Sequence, residues 1–125
     1  MIWSFIQVAL GGAIGAILRY LSVLGAVRIF GTGFPIGTLF VNILGSLLMG
    51  LFIVLLEQKN WISFGPFLTV GVLGGFTTFS AFSLEAYNLF QRGDSLALIS
   101  YISLSIILSL FALVLGMAIG RHMII

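Results

Sequence analysis

The chain reads as an all-α membrane protein with four transmembrane helices, the third broken mid-membrane, that pairs as an antiparallel dual-topology homodimer. Three observations predict this. Of the 125 residues 61% are hydrophobic and 6% charged, with a mean hydropathy of +1.30, and a polar surface in water cannot be built from that composition. Apolar stretches of about 20 residues, enough to cross a ~30 Å hydrocarbon core, occur four times. Lysine and arginine are almost evenly divided between the two sides of the membrane that those crossings define.

The spans are placed at Ile2 to Leu24, Ile36 to Leu56, Phe64 to Phe90 and Leu96 to Gly120, making one integral-membrane domain over residues 1–125. The first carries Gln7 early, lacks a positive leader and has no small-residue cleavage site, so it reads as a retained span. Its Gly11, Gly15 and Ala16 share a face at steps of three and four, the pattern of a close helix-packing seam rather than a ligand site. Arg19 lies near the end of that span, where a guanidinium snorkels to the interface or meets a carboxylate or vestibule.

Turn residues Gly31-Thr-Gly-Phe-Pro35 close the first connection, Glu57-Gln-Lys-Asn60 forms the second and Gln91-Arg-Gly-Asp94 the third. An even number of crossings puts both termini on one side with Lys59 and Arg121. Arg28 and Arg92 fall on the other, and a balance that close lets the chain insert both ways up. Two opposed copies could then pair about an axis in the membrane plane.

In the second span Thr38, Asn42, Gly45, Ser46 and Gly50 make a small polar stripe. The Asn42 amide is either interhelical glue or a donor that replaces water around an anion. The third span is the anomaly. Its run Gly71-Val-Leu-Gly-Gly-Phe-Thr-Thr-Phe-Ser-Ala-Phe-Ser-Leu-Glu85 lowers helix propensity at two glycines and two threonines, and lipid offers the freed backbone no partner. Carbonyls released there suit a hard cation such as Na⁺. Phe79 and Phe82, interleaved with Ser80 and Ser83, are ordinary membrane packing or rings whose positive edges face an anion. Glu85 reads as a helix-end carboxylate paired with arginine or wetted by a vestibule. On the fourth span Tyr101, Ser105 and Ser109 stand at steps of four, offering three hydroxyls along one face or three bonds back to the helix.

Several classes are excluded. Without cysteine there is no disulfide framework or thiolate metal site, and without a basic run there is nothing to track nucleic acid. His122, the single histidine, falls beyond the fourth span, so no serine–histidine pair forms at mid-membrane and no enzyme is expected.

Three segments resemble the Fluc (CrcB-type) fluoride channels: Gly11-Gly-Ala-Ile-Gly-Ala-Ile-Leu-Arg-Tyr20, Gly37-Thr-Leu-Phe-Val-Asn-Ile-Leu-Gly-Ser46 and the Gly71–Glu85 run. The third is the specific one. The resemblance implies passive fluoride export through a multi-pass channel of the cell inner membrane, and hence fluoride resistance, with two antiparallel pathways built from both subunits. Phe79 and Phe82 match the family's paired phenylalanines, Asn42 its pore asparagine, and Tyr101, Ser105 and Ser109 its fourth-helix polar track. Gly74 and Thr77 match residues whose carbonyls hold a structural, untransported Na⁺ at the two-fold axis. Arg19 and Glu85 match recurrent positions of structural or vestibule type. Ala81 departs from the family, which often has threonine there. The competing reading is a small dual-topology proton-coupled multidrug exporter, for which Glu85 would be the exchangeable carboxylate.

Overall fold

In the computed structural model, which describes residues 1–124, all four expected spans are helical and long and apolar enough to cross a membrane. Helix α1 (Ile2–Phe30) continues past the expected end at Leu24. Arg28 in its last turn suits the negative end of the helix dipole, and Gly31 stops it with φ 77°, a left-handed conformation that costs glycine little. Helix α2 (Ile36–Gln58) begins directly after Pro35. It ends at a turn in which Asn60 takes φ 57°, tolerated because its short amide side chain is at home there.

The third span, Ile62–Gln91, is assembled from unlike pieces. A 3₁₀ turn (Ile62–Phe64) leads into a π-helical segment (Pro66–Leu73), then the single α turn α3 (Gly74–Phe76). Thr77 and Thr78 are extended, and helix α4 (Phe79–Gln91) resumes beyond them. Helix α5 (Ser95–His122) is uninterrupted, and the Asp94 carboxylate caps it by accepting from the Ala97 N–H at 3.2 Å.

The expected break is present but displaced from the glycines. Gly74 is helical, at φ −63° and ψ −36°, whereas Thr77 (−84°, 157°) and Thr78 (−153°, 120°) leave the helix. β-Branched threonine suits extended backbone, and the glycines serve packing instead. A Cβ on Gly75 would stand 2.7 Å from the Gly12 carbonyl oxygen, and one on Gly71 would stand 2.9 Å from the Gly11 Cα. The stripe of small residues on α1 is therefore a packing seam, clasping the first half of the third span.

A second seam joins α2 to α5, where a side chain on Gly50 would strike the Leu113 carbonyl and one on Gly116 the Leu47 carbonyl. Backbones this close gain dispersion contact, which drives association where lipid removes the hydrophobic difference. Between the layers Val41, Leu73, Leu89 and Tyr101 are almost wholly enclosed. The outward surface is apolar, with Phe5, Ile17, Phe111 and Val114 among the exposed side chains.

Candidate functional site

Asn42 on α2 meets the break from the side. Its Oδ1 accepts from the Thr78 N–H at 2.7 Å and its Nδ2 donates to the Thr78 carbonyl at 3.0 Å. A side-chain amide thus takes the place of a neighbouring backbone and satisfies both the donor and the acceptor of one residue. Thr78 in turn caps α4, its Oγ1 accepting from the Ala81 N–H at 3.1 Å. In an unbroken helix the Thr78 and Ala81 N–H groups would serve the carbonyls four residues back, on Gly74 and Thr77. Both donors go to side chains instead, releasing those two carbonyl oxygens from their helical partners.

Below the break a cleft of about 340 Å³ opens between α2, α4 and α5, lined by Asn42, Thr77, Thr78, Phe79, Phe82, Ser105 and Ser109. The Ser105 and Ser109 hydroxyl oxygens are buried without a hydrogen-bond partner among the described residues. An enclosed hydroxyl left unmatched is costly, and two in one row mark a place built to receive something polar. Across the cleft the Phe79 and Phe82 rings lie 5.4 Å apart and tilted by 42°. Phe82 continues onto Tyr101 at 5.2 Å, and Phe34 meets Tyr101 edge-on at 5.7 Å.

Tyr101 stands between Phe82 and Phe34 in this aromatic row, and its hydroxyl donates to Glu85 Oε2 at 2.7 Å. Thr38 donates to Glu85 Oε1 at 2.8 Å, so the carboxylate binds α2 and α5 to α4 through both its oxygens. Thr38 and Glu85 also face a second cleft of about 420 Å³, shared with Asn88, Arg92 and the Gly31–Pro35 connection. Arg92 Nη2 donates to the Gly33 carbonyl at 2.7 Å across its rim.

The family model of the "CrcB-like protein, Camphor Resistance (CrcB)" matches residues 6–117. The chain belongs to the CrcB family. Among curated relatives, proteins named fluoride-specific ion channel FluC are 57% identical in a Ruegeria species and 53% identical in Cereibacter sphaeroides, each over 97% of both chains. The relative of that name from Paracoccus denitrificans is 48% identical over 94% of both chains. Four spans and this kinship make the chain a multi-pass membrane protein of a channel family.

Within the chain the residues singled out from the sequence divide into groups. Asn42, Phe79, Phe82, Ser105 and Ser109 come together on the cleft. Tyr101 adjoins them through its ring, but its hydroxyl is committed to Glu85 rather than offered to the cleft. Ser80 and Ser83 are exposed and line neither cleft; Ser80 stands 3.3 Å from the Thr78 hydroxyl, and Ser83 bonds back to the Phe79 carbonyl at 2.9 Å. Arg19 is half-buried on α1, outside both clefts. Glu85, expected to pair with arginine or face a vestibule, is bound by two hydroxyls and lines the second cleft.

Two residues escaped the sequence reading. Thr38 appeared only as one member of a polar stripe, and Thr78 only as a breaker. The available signals were the Thr38–Asn42 step of four and the placement of Thr78 immediately before a helical run, which is an N-cap pattern.

Proposed function

We propose that the chain is a fluoride-selective channel that exports the ion passively from the cytoplasm across the inner membrane, conferring fluoride resistance. The observation that carries this reading is the row of two buried, unpartnered hydroxyls, Ser105 and Ser109, facing the Phe79–Phe82 pair in one cleft. The names borne by the relatives supply the anion. A hydroxyl turns its proton toward fluoride without carrying charge, and an aromatic edge presents positive potential in a dry site. Asn42 retains one Nδ2 hydrogen beyond the one given to Thr78 and can add it to the same shell. Donors that replace water without binding too tightly are what conduction asks of a filter.

No energy source is required. An interior-negative potential favours anion exit by about 2.3 kcal/mol per 100 mV, so ions accumulated in the cytoplasm leave down their electrochemical gradient. Discrimination against chloride follows from donors held on packed helices that do not spread for a larger ion.

The working unit in this proposal is an antiparallel homodimer, supported by the balanced loop charges and by the exposure of Phe79, at 78%, beside the break. A structural Na⁺ fits the released carbonyls of Gly74 and Thr77, which are uncharged hard oxygens without their helical donors. From each copy they would hold the ion at the two-fold axis, where it fixes the subunits together and is not transported. The exporter alternative needs a carboxylate free to exchange protons and cargo, and Glu85 is tied by two hydroxyls.

Fluoride efflux from proteoliposomes, followed with a fluoride electrode in the presence and absence of Na⁺, tests the reading. Rapid fluoride efflux with chloride retained is expected. A well-folded protein that passes no fluoride, or passes both halides alike, overturns it.

A further inference from the structure

We infer that Asn42 is the positioning residue that creates the cation site, acting through the backbone of Thr78 rather than by touching the cation. This rests on the proposed Na⁺ site and extends it to a residue on a different helix. Two of the observations are independent of each other. The Asn42 amide engages both the N–H and the carbonyl of Thr78, at 2.7 Å and 3.0 Å. Gly74, whose carbonyl the Thr78 N–H would otherwise engage, is itself in ordinary helical conformation. Nothing in the glycine's backbone forces the helix to stop there. Its carbonyl is released because α2 diverts the donor.

The neighbouring elements leave Asn42 little freedom to do otherwise. Gly45, one turn further along α2, faces Thr77 so closely that a Cβ there would strike the threonine methyl. This contact holds α2 against the break and sets the reach of the amide. Thr77 adds a local bond, its Oγ1 donating to the Leu73 carbonyl at 2.9 Å while its own N–H serves the same oxygen at 3.0 Å. Leu73 is thus doubly satisfied, and neither Thr77 donor is left to turn toward Gly74. Without Asn42 the Thr78 N–H loses this acceptor, and its partner in a continuous helix is the Gly74 carbonyl, a pairing that closes the helix over the site.

The test measures cation response apart from ion flux. Purified protein is unfolded thermally in detergent with NaCl titrated against choline chloride at constant ionic strength. The increment in midpoint gives an apparent Na⁺ affinity, because a ligand bound only to the folded state stabilises it by mass action. Asn42→Leu should weaken that affinity about tenfold or more, the scale expected when two hydrogen bonds hold a site open. Ser109→Ala should lose flux yet keep the Na⁺ increment. A merely structural asparagine would lower the midpoint equally in both salts and leave the increment intact, which overturns the inference. If Asn42→Leu does not fold, Asn42→Ser decides, since a hydroxyl carried on Cβ is one bond shorter than the amide and cannot span both groups; an undiminished increment there is equally fatal. A wild-type protein indifferent to Na⁺ overturns both this inference and the cation site, whereas a response that survives both substitutions removes this inference alone.

Discussion

The two halves of the third span are built on opposite principles, although they are continuous in sequence. From Pro66 to Phe76 the helix is held against α1 by the absence of side chains, with Gly71 and Gly75 admitting the Gly11–Gly12 backbone at contact distance. From Phe79 to Gln91 it is held by polar side chains, through Thr78 and Asn42 at its start and Glu85 with Thr38 and Tyr101 in its middle. The first half buries its own hydrogen bonding and needs nothing from its neighbours but shape. The second spends polar groups on neighbours and leaves others unmatched beside them. In a membrane, where lipid cannot satisfy a donor, only the second kind of construction leaves polar groups for something other than the helix itself.

The widest separation between the halves should come from Gly15→Val on α1. Its side chain would collide with the Val72 carbonyl and lie near the Phe76 N–H, both backbone atoms that cannot swing aside. Overpacking of this kind costs about 3 kcal/mol or more, and folded protein should be lost from size-exclusion chromatography. The second half should behave differently. Ser105→Ala or Phe82→Ala should reduce fluoride flux about 10- to 100-fold, since one lost donor contact is worth about 1–3 kcal/mol in a barrier. The folded fraction and the elution volume should hardly change. Tyr101→Phe removes one of the two hydroxyls on Glu85 and should cost about 1–2 kcal/mol of stability in denaturant unfolding. Smallest of all, Ser83→Ala removes a bond back to its own helix and should alter stability by no more than about 0.5 kcal/mol. A large flux defect from Ser83→Ala would show that the exposed face of α4 also carries ions, erasing the contrast between its two sides.

Much of this was legible in the chain because it depends on local spacing. The Ser105–Ser109 step of four placed both hydroxyls on one face of α5, and the glycine steps on α1 announced a seam. The same rule misled at Tyr101, because a hydroxyl on the correct face was captured by Glu85, 16 residues away in sequence. Ser80 and Ser83 line neither cleft of the single chain. Alternation with Phe79 and Phe82 gave their distance along α4 but not how that helix is rotated about its axis. The break was expected from weak helix formers, yet the Thr78 N–H freed there is met by an amide 36 residues distant, which no local propensity encodes. Gly74 illustrates the point: a residue read as a helix breaker remains helical, and two β-branched threonines leave the helix in its place.

The extended pair at Thr77 and Thr78 also acts as a clutch. In a continuous helix each added or deleted residue turns everything beyond it by about 100°, so the orientation of Phe82 would be geared to every residue upstream. Two extended residues disengage that gearing, and the phase of α4 is set by α2 and α5 instead. The winding of the first half, its π-helical turns included, is therefore not passed on to the aim of the ring pair.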